Sequence, residues 1–103
     1  MELDITSRGN GSRIAISQQF TFADNHKFKQ IMDLTKQENL QFLELDFAKV
    51  DFIDSAGLGM LLLLRDECQN RHIPISIHSA HGQVEKIFMI SKFDQLFSIQ
   101  TGS

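Results

Sequence analysis

Leu3 and Ile5, continued by Ser7, interleave with Glu2, Asp4 and Thr6, and this period of two predicts a half-buried strand. The turn cluster Arg8-Gly9-Asn10-Gly11-Ser12 interrupts the pattern before Ile14, Ala15, Ile16 and Phe20 resume it. That order predicts a hairpin of two antiparallel strands. Thr21-Phe22-Ala23-Asp24 has the spacing of a capping box, with Asp24 itself as the other possible cap. A helix of about four turns is expected from there toward Glu38, with Phe28, Ile31, Met32 and Thr35 on one face. Phe42, Leu43, Leu45, Phe47 and Val50, with Glu44 and Asp46 between them, predict a central strand packed on at least one face. A second helix starts near Ser55 and ends around Arg71. Leu58, Leu61, Leu62, Arg65 and Cys68 share a face, and Met60, Leu63 and Leu64 widen it into a helix too apolar to be exposed. Ile73, Ile75 and Ile77 form a short strand with Pro74 near its start. A third helix covers about Gly82 to Ser91 with Val84, Ile87, Phe88 and Ile90, and the tail from Phe93 to Ile99 packs back on the sheet.

Strands alternating with helices imply right-handed crossovers and a mostly parallel sheet. The expected architecture is α/β: four to five strands with an antiparallel N-terminal edge strand, and three to four helices. The chain has 103 residues without repeats, linkers or low-complexity stretches, which makes residues 1–103 one domain. At 42% hydrophobic and 22% charged the composition is that of an ordinary globular chain. A net charge of −3 and the lack of a basic stripe argue against nucleic acid and anionic membrane as partners. The single cysteine, Cys68, allows no internal disulfide and fits a reducing cytoplasm. No basic stretch followed by an apolar one marks a signal peptide, and the apolar run Leu58 to Leu64 is far short of the roughly 20 residues a membrane span needs. Nine Phe and no Trp or Tyr leave no polar aromatic for a sugar platform or cofactor box.

Candidate chemistry concentrates at Asp54-Ser55-Ala56-Gly57-Leu58-Gly59. Ser55 at a helix start can cap an orphan amide, which stabilises a helix by about 1 kcal/mol. A nucleophilic serine needs a base, and neither a Gly-x-Ser-x-Gly elbow nor a nearby histidine is present, so a serine hydrolase is rejected. A phosphoacceptor needs only exposure, and a helix N-terminus tolerates the added negative charge. Gly57 and Gly59 each cost about 1 kcal/mol in a helix relative to Ala. They allow tight packing on the sheet, close approach of a partner's backbone, or both. The pairs His78/His81 and Cys68/His72 fall short of the four ligands a structural zinc requires, so exposed loop histidines and a buried thiol are expected. Asp46, Asp51 and Asp54 sit near the end of the central strand, where a magnesium receiver site could form. Lys49 is the one base nearby, and strand-end solvation plus a helix cap is the expected role of these acids.

The stretch Val50-Asp51-Phe52-Ile53 followed by Asp54-Ser55-Ala56-Gly57-Leu58-Gly59 resembles a STAS domain of the anti-sigma factor antagonist type. That pattern is an apolar-Asp-Ser-x-Gly-Leu-x-x-Leu-Leu element after a central strand, and Leu61 and Leu62 match its end. Phe42 to Asp46 is similar to the family's central strand and Ile75 to Ile77 to the next. Gln83-Val84-Glu85-Lys86-Ile87-Phe88 through Gln95-Leu96-Phe97 is similar to its last helix and tail, so the resemblance spans nearly the whole chain.

The resemblance implies the STAS fold, no catalysis of its own and no cofactor. It implies phosphorylation of Ser55 by a partner that is both anti-sigma factor and GHKL-type serine kinase, and dephosphorylation by a PP2C-type phosphatase. The unphosphorylated form would sequester the anti-sigma factor, and any ATP would belong to the kinase. Asp24, Asp54, Ser55, Ala56, Gly57, Leu58 and Gly59 would form the partner-binding surface of a monomer. Where many relatives carry a Gly-Glu-Leu-Asp-like turn, this chain reads Gln18-Gln19-Phe20-Thr21-Phe22-Ala23-Asp24-Asn25, a departure that bears on which partner is met. The alternative is a constitutive STAS accessory subunit docking on a transporter ATPase, such as that of a lipid-trafficking ABC transporter. An enzyme or a nucleotide-binding module is the third reading, and no Gly-rich loop with a lysine supports nucleotide binding.

Overall fold

The hairpin forms where the turn cluster predicts it, with Gly9 supplying a positive φ of 62° between β1 (Glu2–Arg8) and β2 (Gly11–Phe20). The computed structural model describes residues 1–37 and 39–101. After β2 a 3₁₀ turn, Phe22–Asp24, leads into α1 (Asn25–Leu34), and then come β3 (Leu43–Ile53) and α2 (Ser55–Asn70). The chain continues through β4 (Ile75–Ala80), α3 (Gly82–Ile90), a second 3₁₀ turn (Phe93–Gln95) and β5 (Ser98–Thr101). The five strands lie in the order β1-β2-β3-β4-β5, with β1 antiparallel to β2 and every other pair parallel. The expected α/β sheet with an antiparallel N-terminal edge is thus present, and the tail supplies a fifth strand.

The buried strand residues Ile14, Ile16, Leu43, Leu45, Phe47 and Ile77 join Phe28 and Ile31 of α1, Leu61 and Leu64 of α2, and Val84 and Phe88 of α3 in one core. Six of the nine phenylalanines run through it as a chain of ring contacts, Phe28-Phe20-Phe47-Phe88-Phe93-Phe97, with centroids 5.4–5.8 Å apart. Rings at such separations attract beyond the apolar area they bury, and here they link α1, β2, β3, α3 and the turn before β5. The other face of the sheet carries Arg13, Ser17, Glu44, Asp46, Ser76 and His78, all half-buried. Arg13 reaches Glu44 at 3.4 Å and Asp46 at 3.2 Å across it. Parallel sheets are usually covered on both faces; among the described residues this one is covered on one, and the polar alternation in β2, β3 and β4 records that.

Four expectations change. Ile5 is 41% exposed, because β1 is the edge strand and only Leu3 packs against the core. Helix α1 stops at Leu34 after ten residues, where Thr35 Oγ1 donates to the Met32 carbonyl at 2.6 Å, and the expected end at Glu38 lies outside the described residues. The buried stripe of α2 is Gly57, Met60, Leu61, Leu64 and Cys68, which leaves Leu62 37% and Leu63 60% exposed. In α3, Val84 and Phe88 point inward one turn apart, whereas Ile90 at the helix end is 78% exposed.

Candidate functional site

Strand β3 hands over to α2 at Asp54, which is extended (φ −105°, ψ 178°) as an N-cap must be. Its Oδ1 accepts the Gly57 N–H at 2.7 Å, its Oδ2 accepts the Phe22 N–H at 3.3 Å, and its own N–H donates to the Phe20 carbonyl at 3.4 Å. The cap of this helix is therefore the acid and not the serine. Ser55 is the first helical residue, its side chain is exposed, and its hydroxyl bonds to none of the described residues.

The two glycines separate. A Cβ at Gly57 would collide with the Phe20 carbonyl oxygen and meet Ile53 Cγ1 at 2.9 Å, so this glycine lets α2 lie against β2 and β3. Around Gly59 a Cβ would meet nothing within 4 Å. Ser55, Gly59, Leu62 and Asp66 recur at helical spacing on the exposed side of α2, with Leu63 beside them. Ala56 and Leu58 are half-buried between the two sides. Phe22, 67% exposed, and Phe52, 46% exposed, belong to the two segments that meet at Asp54.

Asp24 closes the capping box expected with Thr21, but its side chain is buried rather than on the outer surface. It is 8% exposed, and its carboxylate accepts from the Met1 amino group at 2.8 Å, the Thr21 N–H at 2.8 Å and Thr21 Oγ1 at 3.0 Å. Burial alone would raise its pKa, but those hydrogen bonds and the adjacent ammonium charge outweigh it and hold the carboxyl below its ordinary range. Its side chain is spent inside the fold, as the backbone of Gly57 is. The surface that remains around Ser55 consists of Asp54, Ala56, Leu58 and Gly59 with Leu62 and Leu63.

Among the described residues no three His, Cys, Asp or Glu side chains converge as a metal site. His78 is not a loop residue: it lies half-buried on the open face of β4, 2.8 Å from Ser76 Oγ. His81 rests on the Ala48 carbonyl at 2.9 Å. Cys68 is fully buried, and burial, helped by Glu67, pushes its thiol to about 11. Asp46 pairs with Arg13 and accepts the Ala48 N–H at 2.9 Å, while Asp51 is exposed. One residue at this site escaped the sequence reading: Gln83, whose side-chain amide bonds twice to Ile53. Thirty positions of separation hide such a contact from any local pattern.

Residues 3–102 match the family model described as STAS domain. A STAS-domain containing protein of Pseudomonas aeruginosa (strain UCBPP-PA14) is 33% identical over 91 residues, covering 88% of this chain and 89% of that protein. Among solved structures, an anti-sigma factor antagonist from Mycobacterium paratuberculosis superimposes with a TM-score of 0.84 at 13% identity, covering 98% of this chain and 86% of that one. The anti-sigma factor antagonist SpoIIAA in its unphosphorylated form gives a TM-score of 0.74 at 13% identity, over 99% and 89% of the two chains. A sulfate transporter family protein from Wolinella succinogenes gives 0.77 at 16% identity, over 92% and 80%. At these identities the solved structures speak for the fold alone. Among the described residues no helix is long and apolar enough to cross a membrane.

Proposed function

This chain belongs to the STAS domain family, and on that premise we propose that it is an anti-sigma factor antagonist switched by phosphorylation of Ser55. The observation that carries the reading is the division of labour at the start of α2. Asp54 takes the cap, so the Ser55 hydroxyl is left exposed and uncommitted. A phosphate added there carries about −1.5 to −2 charges. It would stand at the positive end of a 16-residue helix, where its charge is tolerated and the fold is kept. The same charge would sit at the head of the exposed stripe of Gly59, Leu62 and Leu63. A partner that buries that stripe must then desolvate a phosphate beside the Asp54 carboxylate, and it dissociates instead.

The partner in this reading is an anti-sigma factor that is also a GHKL-type serine kinase, opposed by a PP2C-type phosphatase, in the cytoplasm. Binding to the anti-sigma kinase tests it: Ser55→Asp abolishes the complex, Ser55→Ala preserves it, and both variants stay folded. Equal binding by the two variants sinks the switch.

One observation favours a second reading. Leu62 and Leu63 are exposed with Ser55 unmodified, as a docking face for a transporter ATPase that needs no phosphorylation would require. A pull-down that returns an ATPase subunit, with Ser55 free of phosphate by intact mass in growing cells, selects that reading.

A further inference from the structure

Strand β3 outruns the strand beside it. Leu43–Asp46 pair with Ile75–His78 of β4, and beyond Asp46 that side of β3 has no strand partner among the described residues. Strand β4 bends at Ser79, where φ is 65°, and after Ala80 the chain turns into α3. On its other side β3 stays paired with β2 as far as Ile53. The backbone groups of Ile53 that face away from β2 therefore need another partner.

One side chain supplies it. The Ile53 N–H donates to Gln83 Oε1 at 3.1 Å, and Gln83 Nε2 donates to the Ile53 carbonyl at 3.1 Å. A primary amide presents a donor and an acceptor side by side, as a peptide group does. Gln83, half-buried in the first turn of α3, thus stands in for one residue of the missing strand. Ile53 immediately precedes the Asp54 cap and Ser55. From the opposite side Asp54 is held by the Phe20 carbonyl and the Phe22 N–H. The entrance to α2 is pinned from both flanks, and Gln83 is the pin on the α3 flank.

We infer that Gln83 is a positioning residue for phosphorylation of Ser55: it fixes the entrance of α2 so that the serine hydroxyl is presented in one place. The inference rests on Ser55 being the phosphoacceptor. Phosphoryl transfer depends on holding the attacking oxygen within a narrow range of positions, and a misplacement of about 1 Å can cost about a hundredfold in rate. Removal of the amide leaves Ile53 tethered on the β2 flank only, and the first turn of α2 opens locally. A carboxylate cannot replace it, because Gln83→Glu still accepts the Ile53 N–H but turns a second acceptor toward the Ile53 carbonyl.

The test compares Gln83→Leu and Gln83→Glu with Ile77→Val, which weakens the core from β4 without touching Ile53. In site-resolved amide hydrogen exchange of the full chain, Ile53, Gly57 and Leu58 exchange about tenfold faster or more in both Gln83 variants. Leu64, Cys68 and β4 keep their protection in those variants, whereas Ile77→Val speeds all protected amides together. Unchanged exchange at Ile53 and Gly57, or a loss spread as evenly as in Ile77→Val, overturns the inference. With the serine kinase that modifies Ser55, both Gln83 variants lower kcat about tenfold and leave KM unchanged. An unchanged kcat overturns it equally. If the wild-type chain takes no phosphate, the phosphoacceptor reading fails, and the exchange pattern still decides whether Gln83 pins the α2 entrance.

Discussion

Gly57 and Gly59 are two residues apart in α2 and live in different worlds. Gly57 lies against the Phe20 carbonyl and Ile53, and a side chain there has nowhere to go; Gly59 faces open space. The same split runs down the helix. Gly57, Met60, Leu61, Leu64 and Cys68 are buried in the core, while Ser55, Gly59, Leu62 and Leu63 are exposed. Four consecutive leucines, 61 to 64, are divided between the sides by helical phase alone. One side of α2 is therefore answerable to stability and the other is free to answer to a partner. In the proposed switch, the serine at the head of the outer side gains about −1.5 to −2 charges without disturbing what the inner side holds together.

The largest test of that division pairs two leucines. Leu61→Ala removes a fully buried side chain and is expected to cost about 2–5 kcal/mol in urea unfolding. Leu63→Ala, at a residue 60% exposed, should stay within about 0.5 kcal/mol. In the proposed switch it weakens the anti-sigma complex by about tenfold or more. Comparable stability losses at both positions would erase the distinction between the sides.

The glycines give the next contrast, and here the signs differ. Gly57→Ala forces a methyl group onto Phe20 and Ile53 and should destabilise by about 1–3 kcal/mol. Gly59→Ala meets nothing and gains helix propensity, so it should stabilise by up to about 1 kcal/mol. Binding of the partner reads the price of that methyl group on the outer side. A stabilised Gly59→Ala protein with undiminished binding would show that the glycine's flat surface is not what the partner uses.

How much of this was legible beforehand follows from which signals are local. The hairpin, the three helices and the central strand carry period-two or helical patterns, and the Asp54-Ser55 element is contiguous in sequence. The mostly parallel sheet with its antiparallel N-terminal edge followed from the order of elements, while the strand order did not. What could not be read was phase and depth. Leu62 and Leu63 are as apolar as Leu61 and Leu64, and only docking against β2 and β3 through Gly57 decides which pair goes in. The capping box of Thr21 and Asp24 is local and legible, whereas the burial of Asp24 is not, because its other partner, the Met1 amino group, is 23 residues away. Asp54 and Ser55 are both good caps by residue type, and the backbone chose the acid. Gln83 carries no motif, since its role is defined by a strand that ends too early.

Cys68 offers a pH-dependent check on the inner side. Its thiol is raised by burial to about 11, against roughly 8.5 in an unfolded chain. A raised pKa means that the native state holds the proton more tightly than the unfolded one. Its contribution is therefore complete below about pH 8.5 and is lost as pH rises toward about 11. Unfolding free energies measured from pH 8 to 10.5 should fall for the wild type by the equivalent of one proton, and Cys68→Ala should flatten that part of the slope. An unaltered slope in Cys68→Ala would mean that the inner side opens to water at this depth.

The smallest expected effect is the most discriminating, because it separates Asp54 from Ser55. If the acid is the cap, Asp54→Ala loses the bond to the Gly57 N–H and the link to Phe22, and should cost about 0.5–2 kcal/mol. Ser55→Ala then removes a hydroxyl that holds nothing in the fold and should lie within about 0.5 kcal/mol of wild type. If the serine shared the capping, the two losses would be alike. In the proposed switch the functional readouts invert the order: Ser55→Ala abolishes phosphorylation outright at almost no thermodynamic cost. A residue whose removal is silent in unfolding and decisive in signalling is what a switch written on an unchanged fold requires, and thermal denaturation of the two variants beside intact-mass analysis of each decides it.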